Sequence, residues 1–307
     1  MKLWQARVGL LIIALIWAYG YIATAESIKF MSVTQMQVVR FAITTILLSV
    51  VFWKRLIKIN KRTVLFGICL GIVFFGSMTI HSVALETTTV SKNAFLVVLN
   101  VAFVPLIMYA LFKVKIRYYF VLGVITMVLG FFILVFNIDI FNLSSSLAAV
   151  EGLDKLVLGD YLTLLAALTF AIQIVMIGYF VTKEDPINLV IIQIGVSFIL
   201  TLTYCLIFNE PIPLITMDNQ DLLNALLPIL YLGISGCFAF AGQVVVQKYV
   251  PASNVALIFS TESMFAAFFS VFLGMEPFTI GLLIGAIVIT LGIVWAETGF
   301  KFKEEKE

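Results

Sequence analysis

Long apolar runs follow one another along most of this chain, with short polar stretches between them. Each run is long enough, at about 20 residues, to cross the ~30 Å hydrocarbon core of a bilayer as a helix. Apolar and polar residues do not alternate with a period of two, which argues against a transmembrane β-barrel. A helix satisfies its own backbone hydrogen bonds in lipid, so the pattern predicts an all-α integral membrane protein with ten transmembrane helices. The ten runs cover approximately residues 7–25, 32–52, 63–82, 93–112, 118–136, 159–180, 188–208, 223–246, 254–273 and 279–298.

Composition supports this prediction and leaves little room for a soluble domain. The 307 residues are 62% hydrophobic and 12% charged, with a mean hydropathy of +1.14. Soluble domains carry about 25% charged residues. The first run, preceded by Lys2 and Arg7, imitates a cleavable signal peptide, but it is longer than the apolar part of most signal peptides. We therefore expect it to remain as the first span.

The distribution of lysine and arginine predicts the orientation of the spans. With the N-terminus in the cytoplasm, 15 of the 19 basic residues fall on the inner side and three, Lys29, Lys92 and Lys155, on the outer side. Arg40 lies within a span. Cytoplasmic loops carry the excess of positive charge, so the count predicts that both termini are cytoplasmic.

The two halves of the chain show weak internal similarity. A shift of 153 residues aligns Trp17 with Phe170, Gly20 with Gln173 and Arg40 with Gln193, whereas a later shift of 162 residues aligns Asn100 with Glu262 and Gly130 with Gly292. Five spans are an odd number, so the second half enters the membrane in the opposite orientation. The sequence thus predicts two inverted five-helix repeats, a common plan of secondary transporters. The predicted units are residues 5–137, an outer connecting loop at 138–158, residues 159–298, and a cytoplasmic tail at 299–307.

Four motifs resemble one family of carriers. They are "LIWAYGYIA" at 15–23, "VVRF" at 38–41, "ALETTTVSKNAFLVVLNVAFVPLI" at 84–107 and "PASNVALIFSTESMFAAFFSVFLGMEPF" at 251–278. In the first motif, Ala18 occupies a position where members of that family usually have glycine. Their order and spacing resemble the EamA-type members of the drug/metabolite transporter superfamily. The resemblance covers roughly residues 5–298. It implies ten-helix carriers of the inner membrane, often exporters of small metabolites, with a cavity between two five-helix bundles.

Three polar residues are predicted to lie near mid-depth in the membrane. Arg40, Asn100 and Glu262 each lie ~12 Å into a span, at 1.5 Å per residue. Ionisable groups at this depth are costly and frequently functional. Glu262 could bind a coupling proton or pair with a cationic substrate, and its alternative is a packing contact to a carbonyl. Asn100 could line a cavity or hold two helices together. Arg40 could act in coupling or form a structural ion pair, with Glu26 or Glu86 as candidate partners.

Aromatic and amide residues provide further candidates for a substrate site. Trp17 and Tyr21 are four residues apart and share a helix face. With Gln173, Gln243 and the polar residues above they could form an aromatic pocket with a few polar contacts. His81, the single histidine, is a candidate for gating or proton transfer. The alternative is that a chain with 14% aromatic residues forms such stripes by chance.

The predicted function is that of a secondary carrier in the cell membrane. It would move a small organic metabolite, such as an amino acid, amine, drug-like or nucleoside-like solute, by alternating access. The resemblance to the EamA-type carriers favours export. A membrane channel or a membrane-embedded enzyme remain the alternatives. No metal-binding or phosphate-binding motif is found, so we expect no cofactor, no metal, no nucleic-acid partner and no enzymatic activity. The expected partners are the substrate and the lipid bilayer, with protons and a second copy of the chain as open possibilities.

Overall fold

The structure is a computed structural model that describes residues 3–56, 59–113, 118–135, 156–208, 210 and 219–301. Most of the predicted loop at 138–158 and the end of the tail lie outside these residues. The described residues form thirteen helices and no strand: α1 Leu3–Ser27, α2 Val33–Val51, α3 Trp53–Leu56, α4 Lys61–Ala84, α5 Val90–Val97, α6 Asn100–Phe112, α7 Tyr118–Val135, α8 Leu158–Phe180, α9 Pro186–Ile207, α10 Asn219–Gln247, α11 Ala252–Phe259, α12 Thr261–Phe272 and α13 Ile280–Lys301.

The predicted all-α membrane class is confirmed. Eight stretches of the described chain are long and apolar enough to cross a membrane, and the pairs α5–α6 and α11–α12 each count as one such stretch. Two shorter apolar segments, Tyr118–Ile133 and Ile280–Trp295, lie where the fifth and tenth apolar runs were predicted. The count of ten spans therefore stays a prediction.

The fourth and ninth predicted spans are interrupted. α5 ends at Val97 and α6 begins at Asn100, while Ser260 separates α11 from α12. Around the first break the amides of Val101 and Ala102 donate to carbonyls three residues back, each at 2.9 Å, so the chain tightens locally instead of continuing as an α-helix. The break does not fall at a proline, since Pro105 lies inside α6, more than a turn beyond it. Asn100 and Glu262 each lie directly after an interruption.

Close backbone contact joins α7 to α13. A Cβ atom added to Gly130 would lie 2.7 Å from the Ile289 amide nitrogen, and one added to Gly292 would lie 2.7 Å from the Gly123 carbonyl oxygen. Small residues at such positions let membrane helices approach closely. This pair of helices packs beside the rest of the bundle and, as shown below, contributes no residue to the central cavity.

Buried hydrogen bonds connect the helices that surround the centre of the molecule. The Thr44 hydroxyl on α2 donates to the Gly233 carbonyl on α10 at 2.9 Å, and the Gln247 amide on α10 donates to the Ile174 carbonyl on α8 at 2.6 Å. Such bonds between apolar helices contribute about 0.6 kcal/mol each on average. They hold helices from both parts of the chain around one cavity.

Candidate functional site

A central cavity lies between helices of the first and second parts of the chain. Its volume is about 90 Å³. Its walls come from α1, α2, α4, α5, α6, α8, α10, α11 and α12, whereas α3, α7, α9 and α13 contribute none of its lining residues. The structure brings all eight predicted site residues to this cavity: Trp17, Tyr21, Arg40, His81, Asn100, Gln173, Gln243 and Glu262.

Many of the lining residues occur in pairs at the two offsets found in the sequence. Lining residues of α4 and of the α5–α6 pair have counterparts 162 positions later that also line the cavity. Lining residues of α1 have such counterparts 153 positions later. The pairs are Trp17 and Phe170, Gly20 and Gln173, Tyr21 and Ile174, Phe74 and Gly236, Met78 and Phe240, His81 and Gln243, Val97 and Phe259, and Asn100 and Glu262. Corresponding positions of the two parts therefore face the same space.

Aromatic rings form a large part of the cavity wall. The Trp17 ring lies 4.6 Å from the Phe259 ring and 6.0 Å from the Phe240 ring, measured between centroids. Phe74 meets Phe240 edge-on at 5.0 Å. The Trp17 Nε1 atom is buried and has no hydrogen-bond partner among the described residues. The wall thus offers apolar faces together with one donor, which suits a ligand with an apolar body and a polar substituent.

Glu262 and Asn100 place polar groups beside the two helix interruptions. The Tyr21 hydroxyl forms a side-chain hydrogen bond with the Glu262 carboxyl group. Asn100, 7% exposed, has an Oδ1 atom without a partner in the described part of the chain. Glu262 is the single acidic residue among the cavity-lining residues. These groups can donate to, accept from or exchange a proton with a ligand in the cavity.

His81 connects the cavity to a chain of polar side chains behind it. Its ring lies edge-on to Tyr21 at 5.0 Å and to Phe170 at 5.6 Å. Asn93 lies close enough to interact with the imidazole, and its amide donates to the Thr163 hydroxyl at 2.9 Å. The His81 Nε2 atom has no partner among the residues that the structure describes. One nitrogen of the imidazole is therefore available to a ligand in the cavity.

Arg40 does not form the ion pair that was considered for it. Its side chain is buried, 6% exposed, and its guanidinium carbon lies 5.6 Å above the centre of the Phe240 ring. Of the two candidate partners, Glu26 pairs instead with Lys29 at 2.6 Å, and Glu86 is exposed. No ion pair of Arg40 occurs within the described ranges. Glu26 pairs with Lys29 and not with Arg40 because Lys29 follows it by only three residues.

Sequence reasoning missed several lining residues, all of them apolar or small: Ile16, Gly20, Val97, Leu232, Ser235, Gly236, Phe240 and Phe259. A signal for some of them was present. Phe74, Met78 and His81 follow one face of a helix, and adding the offset of 162 to each leads to Gly236, Phe240 and Gln243. Without a partner surface, however, an apolar side chain that faces a cavity cannot be told from one that faces lipid.

Outside the cavity, an ionic cluster connects α3 and the start of α4 to the turn between α8 and α9. Arg55 pairs with Asp185 at 2.8 Å and Arg62 with Glu184 at 3.4 Å. Glu184 also accepts hydrogen bonds from the Thr63 hydroxyl and the Asn60 amide. These two bonds, with Thr63 contributing most, and the charge of Arg62 lower the pKa of Glu184. Among the described residues, no group of three or more His, Cys, Asp or Glu side chains could hold a metal ion.

The sequence of most of the chain matches a known family. A model of the EamA-like transporter family matches residues 6–136 and 157–298. This chain belongs to the EamA-like transporter family. A curated protein of Archaeoglobus fulgidus described as an uncharacterized transporter is 27% identical to this EamA-family chain over 298 residues, which cover 96% of this chain and 86% of the relative.

A solved crystal structure is also similar to this EamA-family protein. It aligns over 97% of this chain and 98% of its own chain, with a TM-score of 0.67 and 14% sequence identity. At that identity the likeness shows the fold alone. Together with the family match, it makes the chain a multi-pass membrane protein of a transporter family, whose substrates are small solutes.

Proposed function

We propose that this protein is a secondary carrier that moves a small organic solute across the cell membrane by alternating access. The observation that carries the proposal is the convergence of Trp17, Tyr21, Asn100, Gln173, Gln243 and Glu262 on a single cavity. Polar groups without protein partners and aromatic faces in one enclosed space are typical of a binding site for a small ligand. We assign these six residues to substrate binding.

Two observations support the proposal that the carrier consists of two inverted five-helix repeats. The cavity is lined by corresponding residues of both parts, and the α5–α6 and α11–α12 pairs are interrupted at corresponding positions. Interrupted helices that meet near mid-membrane are a recurring feature of secondary transporters, because their free ends provide polar backbone groups to a ligand. Rocking of one repeat against the other would open the cavity to each side in turn.

We assign coupling and gating to Glu262, His81 and Arg40. Glu262 can bind and release a proton, and its contact with Tyr21 lets the protonation state change a hydrogen bond in the cavity wall. His81 can relay that change toward Asn93 and Thr163.

Lysine and arginine are concentrated in one set of loops, which supports a cytoplasmic location of both termini. Export and the absence of enzymatic activity follow from the resemblance to carriers of this family.

Solute release from proteoliposomes tests this function. The purified chain is reconstituted into vesicles loaded with a defined mixture of amino acids, amines and nucleosides, and the retained solutes are measured by mass spectrometry against protein-free vesicles. We expect selective, saturable loss of a subset of the mixture, and faster loss when the same solute is present outside, since counterflow is the property of a carrier. Equal retention in both vesicle types, or flux without saturation or counterflow, would contradict the proposal.

A further inference from the structure

Arg40 brings a fixed positive charge to the cavity, and no carboxylate of the described residues pairs with it. The guanidinium group forms no ion pair and no side-chain hydrogen bond within the described residues, and its Nε atom is buried without a partner. Its guanidinium carbon lies 5.6 Å above the face of Phe240, and its charge also interacts with Tyr231 and His81, neither of which is a carboxylate. Arginine does not lose its proton in proteins. The charge is therefore permanent and faces the cavity.

Acidic residues outside the cavity wall are engaged with partners other than Arg40. Glu184 and Asp185 pair with Arg62 and Arg55, Glu210 accepts a hydrogen bond from Ser32, and Glu276 accepts from the Ser91 amide and the Ser270 hydroxyl. Glu262, the acidic residue of the cavity wall, interacts with Tyr21 and makes no ion pair with Arg40. Among the described residues, then, no carboxylate compensates Arg40.

Arg40 is also an exception to the pairing of the cavity wall. Its counterpart by the offset of 153 is Gln193, which is 1% exposed and is not one of the lining residues. The amino-acid types differ too, because a charged group in one part corresponds to an amide in the other. If this position served only to pack helices in both repeats, a neutral side chain such as that of Gln193 would suffice. It would not explain why Arg40 presents a positive charge to the cavity.

An unpaired buried charge costs several kcal/mol in a protein interior. A ligand with one negative charge would offset that cost when it binds, and a carboxylate matches the planar fork of the guanidinium group with two parallel hydrogen bonds. The surrounding rings of Phe240 and Trp17 would contact the apolar body of such a ligand. A single fixed cation balances a monovalent anion better than a divalent one.

We propose that the carrier's substrates bear a carboxylate, and that Arg40 is the residue that binds it. The inference rests on the proposed transport function and narrows its substrate class. It makes Arg40 a specificity-determining residue of the substrate site rather than a structural cation.

Binding of matched probes to the purified full-length protein tests this assignment without measuring transport. The probes are phenylacetate, its neutral isostere phenylacetamide and the cation phenethylamine, and affinity is measured by calorimetry. We expect phenylacetate to bind about tenfold to a hundredfold more tightly than phenylacetamide, the range that corresponds to hydrogen bonds with a charged group. Phenethylamine should bind more weakly than either, since it adds a second cation beside Arg40.

Three variants separate binding from a structural role. Arg40→Gln should bind phenylacetate and phenylacetamide equally, Arg40→Lys should retain part of the preference, and Arg55→Gln, which removes an exposed arginine outside the cavity, should behave as the wild type. A wild-type protein that binds phenylacetamide as well as phenylacetate, or binds neither, overturns the assignment, whether or not Arg40→Gln folds. A preference that survives in Arg40→Gln also overturns it. If vesicle flux is absent while the preference holds, the transport proposal fails alone.

Discussion

Glu262 lies directly after the interruption between α11 and α12, where a carboxyl group meets the cavity rather than a packed helix interface. Its side chain is linked to the Tyr21 hydroxyl on α1, so the gain or loss of a proton changes a contact between two parts of the chain. In the proposed mechanism this carboxyl group couples solute movement to proton movement, which an amide of the same shape would not do.

The variant Glu262→Gln should therefore lose accumulation driven by a pH gradient, because glutamine cannot carry the proton. Exchange of solute at equal pH on both sides should remain. The measurement is solute uptake into proteoliposomes with and without an imposed gradient. The matched control is Glu210→Gln, which changes a carboxyl group that bonds Ser32 away from the cavity. A gradient that drives Glu262→Gln as strongly as the wild type would refute the coupling role.

At the residue scale, sequence reasoning found the polar residues of the cavity and missed most of its apolar ones. Arg40, Asn100 and Glu262 could be predicted because a polar group deep in an apolar run needs a reason to be there. Phe259 and Leu232 carry no such signal, since hydrophobic side chains are normal everywhere in a membrane helix. That Arg40 has no counter-ion in the described part of the chain could not be predicted either, because the local pairing of Glu26 with Lys29 becomes visible only when distances are known.

Among the elements, the contact between α7 and α13 depends on glycine at both positions of closest approach. Gly130→Ala should lower the thermal stability, because its Cβ would lie 2.7 Å from the Ile289 backbone nitrogen. Overpacking of this kind costs about 1–3 kcal/mol. In detergent, the midpoint of thermal unfolding measures the change.

A second glycine provides the matched control for this substitution. A Cβ atom added to Gly76, within α4, would meet no atom within 4 Å. Gly76→Ala should leave the unfolding midpoint unchanged or raise it, since alanine favours a helix by roughly 0.5–1 kcal/mol relative to glycine. Equal effects of the two substitutions would show that helix packing does not determine the response.

The ionic cluster between α4 and the α8–α9 turn predicts a pH dependence of stability. The pKa of Glu184 is lowered in the folded protein by its bonds to Thr63 and Asn60 and by Arg62. A lowered folded-state pKa contributes stability above the unfolded-state pKa, and this contribution is lost as the pH falls through the folded-state value. The midpoint difference between the wild type and Glu184→Gln should therefore be largest at neutral pH and shrink in acid.

Thr63→Val provides the graded comparison for this cluster, since it removes the largest of the favourable contacts with Glu184. Its difference from the wild type should follow the same pH profile with a smaller amplitude. Unfolding midpoints recorded at a series of pH values test both variants. A difference between the wild type and Glu184→Gln that stays constant from neutral to acidic pH would contradict the role of the carboxylate.

At the element scale, the apolar runs predicted where helices form. They did not predict the interruptions between α5 and α6 and between α11 and α12. Composition differs little between Val98–Leu99 and the residues around them, and the proline of this span, Pro105, lies more than a turn away from the break. The three-residue hydrogen bonds of Val101 and Ala102 lie next to Val97 and Asn100 in the cavity wall, and the sequence of a single span does not show which of its residues face such a cavity.

For the whole molecule, the central claim is that one cavity between two repeats serves both sides of the membrane. The offsets of 153 and 162 residues were visible in the sequence at a few pairs, and the cavity wall extends the same correspondence to residues that no motif had singled out. The sequence could not predict how the helices pack around the central cavity, because this packing depends on contacts between residues more than a hundred positions apart.

Access to the cavity from each side of the membrane tests this claim most directly. In a background in which Cys69, Cys205 and Cys237 are replaced, Ser235→Cys places a thiol on the cavity wall, and Ser197→Cys places one in the buried contact between α9 and α4 as the control. A membrane-impermeant thiol reagent is applied from the inside or the outside of reconstituted vesicles. The account predicts that Ser235→Cys reacts from both sides, with one rate rising as the other falls when solute is added, while Ser197→Cys does not react. Reaction of Ser235→Cys from one side alone under every condition would contradict it.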